Sequence, residues 1–205
     1  MKGMLSGRHT ALKFNGYTSE PIKINNGIGQ GDPLSMVMYQ FYNADLLDIP
    51  REKSEGIIAY IDDMLLLATA EHFEEAHDKL ASLIGREGGV MDWSKTHNSL
   101  LEYSKLALID FTHRNSSKKR AQLQLPQRQI EPSTSTKYLG IILDQNLNWK
   151  AQQAHAVKKG TKWAVQIRRI ARPSWGITPK YARHLYISIA LPRILYTADV
   201  WCIAV

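Results

Sequence analysis

The stretch AYIDDMLLLA, residues 59–68, sets two adjacent carboxylates, Asp62 and Asp63, between two apolar runs. Each run has the length of a strand, and the gap between them is too short for anything but a hairpin, so strands are expected over about 56–61 and 64–69. Their unbroken apolar composition points to burial on both faces, with only the turn reaching solvent. Two ionised carboxylates about 5 Å apart repel by roughly 3 kcal/mol at an effective dielectric near 20, so something must offset them. Two readings stay open at this point. A rigid tip carrying Asp62 and Asp63 is a suitable mount for Mg²⁺, which is held through a few carboxylates plus substrate phosphates. An acidic surface turn is the other, since aspartate is a common turn residue.

Upstream, Asp32-Pro33 reads as an N-cap followed by proline at the first helical position. It opens a helix striped by Leu34, Val37, Met38, Phe41 and Ala44 that ends near Asp48, before Pro50. Gly27-Ile28-Gly29-Gln30-Gly31 precedes it, three glycines where the backbone must turn tightly or be closely approached. Downstream, an amphipathic helix over about 71–86 carries Phe73, Ala76, Leu80, Leu83 and Ile84 on one face, with Gly88-Gly89 past its end. Strand-like runs follow at Lys105 to Phe111, Ala121 to Leu125 and Lys137 to Leu143, separated by a polar, basic loop (Thr112 to Arg120) and a Pro/Ser/Thr stretch. After Trp149 the period becomes helical, with Ala154, Val157, Thr161, Ala164, Ile167 and Ile170 as the apolar side and lysines and arginines on the rest. A second helix begins at Thr178-Pro179, with Pro192 as its kink or stop. The pattern is α+β, helices packed on small antiparallel sheets with a helical C-terminal part.

The chain has 205 residues, of which 44% are hydrophobic and 22% charged, a globular composition. No eighteen-residue stretch is free of charge or proline, so no membrane partner is expected, and the first fourteen residues lack the apolar centre of a signal peptide. The single cysteine, Cys202, excludes an internal disulfide and leaves a zinc site without support. The expected location is intracellular, the nucleus included. Lysine and arginine number 4 against 4 acids in residues 1–50, 6 against 12 in 51–111, and 16 against 3 in 112–205. So basic a final segment suits a polyanion partner, nucleic acid above all, or a solvated basic face.

Tyr60-Ile61-Asp62-Asp63 resembles the Y-x-D-D hairpin of reverse transcriptases, and Gly27 to Ser35 resembles the glycine-glutamine-glycine motif that precedes it there. Ser94-Lys95-Thr96 is similar to the lysine motif that follows. Lys137-Tyr138-Leu139-Gly140, Leu147-Asn148-Trp149, Pro192 to Tyr196 and Trp201 resemble the tail of the non-LTR, LINE-like subgroup. The resemblance implies a partial polymerase palm over residues 1–148 and a basic helical thumb over 149–205. It implies RNA-directed DNA synthesis on an RNA template and DNA primer from deoxynucleoside triphosphates, with two Mg²⁺ ions at Asp62 and Asp63, Asp62 being the principal ligand. By the same resemblance Lys95 protonates the leaving group. Gln30, Gly31, Leu34 and Ser35 meet nucleotide and template, and Tyr138, Leu139 and Gly140 grip the primer. Lys158, Lys162 and Arg169 would lie along the duplex. A group II intron-type maturase shares the Asp-Asp hairpin, but the Lys137 to Gly140 and Trp149 signature points away from it.

Two departures are small: Met36 stands where the family has proline, and Gly29 where it has a bulkier residue. A larger one is that the family's metal site takes another aspartate from a strand before the glycine motif, whereas residues 1–30 hold only Glu20 as a carboxylate. No segment resembles the fingers either. The expectation is a chain inactive by itself, with a nucleic-acid-binding remnant as the alternative function. The sequence gives no reading of oligomeric state.

Overall fold

The computed structural model describes residues 6–25, 27–29, 31–112, 121–172 and 175–202. The short strands β1 (His9–Thr10), β2 (Lys13–Phe14), β3 (Tyr17–Thr18) and β4 (Ile22–Lys23) form an antiparallel ribbon, β1 on β4 and β2 on β3. Its turn is Asn15-Gly16, both at positive φ (46° and 79°), the combination a two-residue type I′ turn requires.

Helix α1 (Pro33–Tyr42) starts as the sequence predicts: the Asp32 carboxylate accepts from the Leu34 N–H at 3.0 Å, and Pro33 occupies the first turn. A 3₁₀ turn (Ala44–Asp48) carries the chain to β5 (Glu55–Tyr60), which pairs antiparallel with β6 (Asp63–Ala68), Tyr60 opposite Asp63. Side chains alternate across this hairpin. Ile57, Ala59, Met64 and Leu66 pack on a core of Leu46, Ile49, Leu83, Val90 and Trp93. The opposite face is open, with Ile58 and Tyr60 about half exposed. Full burial on both faces, expected from the apolar runs, is therefore not met: the sheet has two strands, and its second face is only partly covered, bordered near Tyr60 and Asp63 by Lys137, Leu139 and Gly140.

Helix α2 (Phe73–Gly85) closes the core from above, and α3 (Val90–Thr96) follows after Gly88 at φ 69°. Arg86 makes a fork on Glu55, at 2.7 and 2.8 Å, and also donates to the Ile49 carbonyl, tying helix, hairpin and loop together. Beneath α2, β7 (Leu123–Leu125) and β8 (Arg128–Ile130) form a second hairpin whose Leu123, Leu125 and Ile130 join Ile84 and Leu108 in a second core. The strand expected over Lys105 to Phe111 is not formed. Residues Tyr103–Lys105 make a 3₁₀ turn, and Leu108 pairs only through one bridge to Pro132. Its side chains are used otherwise, Leu108 in the core and Asp110 on buried His77 at 2.9 Å. Most of the polar loop 112–120 lies outside the described residues.

The run Lys137 to Leu143, expected as one strand, is two: β9 (Ser135–Tyr138) turns through Leu139-Gly140 into β10 (Ile141–Asp144). Both turn residues have positive φ (46° and 86°), again the type I′ pattern, and Gly140 supplies the one position that costs nothing there. The Asp144 carboxylate then accepts from the N–H groups of Asn146, Asn148 and Trp149, folding that segment into the start of α4 (Lys150–Ile170). Helix α4 is as long as expected but rotated. It buries Gln152 and Ala156 and half-buries Gly160, Trp163 and Ile167, while Val157, on the expected apolar side, is 68% exposed. Two contacts set this rotation: Gln152 Oε1 accepts from the Ile142 N–H at 3.0 Å, and Gly160 leaves room for Ile194. Pro192 neither stops nor breaks the last helix. Helix α5 (Pro179–Leu185) widens into one π turn (Tyr186–Ala190) and continues as α6 (Leu191–Ile194), the wide turn absorbing the missing proline N–H. A short α7 (Ala198–Trp201) ends the described chain, and no described helix is long and apolar enough to cross a membrane.

Candidate active site

The β5–β6 tip is a two-residue turn, Ile61-Asp62, in which Ile61 has φ 55°. A β-branched residue in the left-handed region is strained, by about 1–2 kcal/mol, and such strain persists only where the surroundings hold it. Asn43, at the end of α1, contributes: its side-chain amide donates to the Ile61 carbonyl at 3.4 Å. Asp62 in the turn and Asp63 at the start of β6 are both exposed, and among the described residues neither carboxylate takes part in a hydrogen bond or ion pair. Among the described residues no three His, Cys, Asp or Glu side chains converge. The donor set is therefore two free carboxylates, which together with phosphate oxygens fits Mg²⁺ chemistry.

The two carboxylates meet different neighbours. Asp63 lines an open groove of about 640 Å³ together with Tyr60, Lys137, Leu139, Gly140 and Tyr196. Tyr138, beside it, is half-buried, and its hydroxyl is held above its ordinary pKa by burial and, secondarily, by the charge of Asp63. That hydroxyl has no hydrogen-bond partner among the described residues. Away from the groove, the Lys105 ammonium is held above its usual range first by its 2.5 Å pairing with Glu102 and only in small part by the more distant charge of Asp62. Lys105 was not singled out from the sequence. Read as a strand residue, it gave no sign that it would close a 3₁₀ turn and pair with Glu102.

The other residues named from the sequence lie apart from that groove. Gly31, at φ 84° with open space where a Cβ would stand, and exposed Leu34 are at the end of α1 opposite Asn43, a helix length of about 15 Å away from it. Ser35 is buried, 3.6 Å from the Cβ position of Gly29, and Gln30 lies outside the described residues. Lys95 stands on the exposed side of α3, 3.5 Å from Asp92. On α4, Lys158, Lys162 and Arg169 are exposed, and Lys162 lines a second groove of about 520 Å³ with Lys159, Trp163, Gln166, Arg193 and Tyr196. The structure thus brings Asp63 together with the 137–140 turn, and places a cationic groove next to both through Tyr196.

Residues 2–143 match the family described as reverse transcriptase (RNA-dependent DNA polymerase). The chain is similar to the RNA-directed DNA polymerase from mobile element jockey of Drosophila melanogaster, 26% identical over 220 residues, covering 100% of this chain and 22% of that protein. It is 24% identical over 209 residues to the probable RNA-directed DNA polymerase from transposon BS of the same organism, covering 100% of the chain and 23% of the relative. A third relative is the retrovirus-related Pol polyprotein from type-1 retrotransposable element R1 of Nasonia vitripennis, 23% identical over 184 residues, 85% of this chain and 52% of that one. The chain thus spans from about a fifth to about half the length of these curated relatives. No solved structure matches it.

Proposed function

The chain belongs to the reverse transcriptase (RNA-dependent DNA polymerase) family, in its non-LTR retrotransposon branch, and on that premise we propose that it supplies the carboxylate tip and the primer-facing wall of a polymerase site. The reading assigns residues 1–148 to a partial palm and 149–205 to a thumb, and the reaction to RNA-directed DNA synthesis from deoxynucleoside triphosphates. One observation supports it above the rest: Asp63 lines one groove together with Lys137, Leu139 and Gly140 of the β9–β10 turn. The primer end would enter between them, so that Leu139 and Gly140 hold its terminal sugar while Asp62 and Asp63 hold the divalent ions. Bound there, those ions would supply charge neutralisation and activation of the attacking 3′-hydroxyl.

The protein's own groups act around that centre. The positive charge of Lys105, itself paired with Glu102, acts weakly on Asp62 and offsets a small part of the repulsion between the two carboxylates. Lys95 would protonate the leaving pyrophosphate, as the resemblance implies. Gly31, Leu34 and Ser35, with Gln30, would meet nucleotide and template from the start of α1. Lys158, Lys162 and Arg169 would meet duplex phosphates, which position a nucleic acid without reading it.

Crosslinking tests this. A primer annealed to RNA and ending in 4-thiothymidine should couple, on irradiation, to residues 137–141 or 60–63. Coupling confined to the N-terminal ribbon or to α2 would overturn the assignment.

A further inference from the structure

Two grooves meet at one side chain. The first holds Asp63 and the 139–140 turn; the second is walled by Lys159, Lys162, Trp163, Gln166 and Arg193; Tyr196 lines both. No carboxylate lines the second groove, and among the described residues its three cations form no ion pair. Arg193 is held in place with its guanidinium 5.3 Å above the Trp163 ring. His155, on α4, has its imidazole pushed below the ordinary range by burial first and then by Lys159, Lys137 and Lys158, so cations of both grooves act on it.

Tyr196 is fixed at both ends. The Trp201 indole N–H, on a buried ring, donates to the Tyr196 carbonyl at 2.9 Å and holds its backbone. Its hydroxyl donates to the Leu139 carbonyl at 3.2 Å, and its ring edge stands 3.0 Å from where a Gly140 Cβ would be. The ring therefore butts against the turn that shares a groove with Asp63, and the same residue borders the cationic groove. A rigid aromatic with two torsions is suited to keep such a spacing.

We infer that the two grooves form one track for a single nucleic-acid strand, its phosphates held by Lys159, Lys162 and Arg193, with Tyr196 as the positioning residue that sets where the strand's end lies relative to Asp63. The inference rests on the nucleic-acid reading above and adds to it the path of the strand and the residue that fixes its register. Tyr196 touches no reacting atom; it acts through the Leu139–Gly140 turn.

The test uses the full chain and the same 4-thiothymidine primer on an RNA template. Tyr196→Phe keeps the ring against Gly140 and removes only the hydroxyl. It should bind with unchanged affinity and salt dependence, yet lose about fivefold in coupling yield at residues 137–141, the shift that one hydrogen bond of about 1 kcal/mol produces. The triple variant Lys159→Gln, Lys162→Gln, Arg193→Gln should flatten the slope of log affinity against log salt by about 2–3. Undiminished coupling in Tyr196→Phe, or an unchanged slope in the triple variant, overturns the inference. Failure of the functional reading looks different: the unmodified chain would bind the primed template but couple at neither 60–63 nor 137–141.

Discussion

Glu55 shows how one residue ties the chain together. Its carboxylate, 3% exposed, is held below the ordinary range chiefly by the Arg86 fork, with burial opposing and the Arg51 N–H helping. A carboxyl depressed in the folded state stabilises above its unfolded value near 4.5, and that stability is lost as pH falls through the folded value. Thermal melts should therefore show the acid limb flattened in Glu55→Gln, and Arg86→Ala should lose about 1–3 kcal/mol at neutral pH, because it leaves a part-buried carboxylate without its charged hydrogen-bond partner. Asp144 works at the same scale. With three backbone N–H groups satisfied by one carboxylate, Asp144→Ala should cost about 2 kcal/mol or more in denaturant unfolding. Residue identity made Asp62 and Asp63 legible in the sequence, since a paired carboxylate in an apolar setting stands out. The 3₁₀ turn at Lys105 stayed hidden because its apolar neighbours Leu106 and Leu108 disguise it as a strand.

Among the elements, turns and caps were written most plainly and helix faces least. Asp32-Pro33 marked the start of α1 by two local effects, a side-chain acceptor and a preset φ, and both operate in the structure. Asn15-Gly16 carried an equally local signal for the N-terminal ribbon, a type I′ turn, and was legible but passed over. The rotation of α4 was not legible, because its apolar residues do not decide it. A polar side chain, Gln152, and a glycine do, through contacts with β10 and α6 that no periodicity encodes. The β9–β10 turn offers a clean test at this scale. Leu139 bears positive φ where asparagine is the preferred residue, so Leu139→Asn should raise stability by about 1 kcal/mol, seen as a higher melting midpoint.

Across the whole molecule, the charge asymmetry of the sequence becomes a geometry. The acidic middle presents the Asp62–Asp63 carboxylates at a hairpin tip, and the basic C-terminal part lays cations of α4 and Arg193 alongside the groove that begins there. If about five of those cations meet phosphates, log affinity for a primed template should fall against log salt with a slope of about −3 to −5. The open second face of the β5–β6 hairpin, with Ile58 and Tyr60 half exposed, was beyond sequence reading, since apolar strands look alike whether one face or two are covered. The central claim is that the hairpin tip holds divalent ions. Paramagnetic broadening of backbone amide signals by Mn²⁺, with primed RNA template and a nucleoside triphosphate present, measures it most directly. Broadening centred on residues 61–64 and abolished by Asp62→Asn with Asp63→Asn is the predicted result; broadening centred elsewhere, or undiminished in that double variant, would contradict the account.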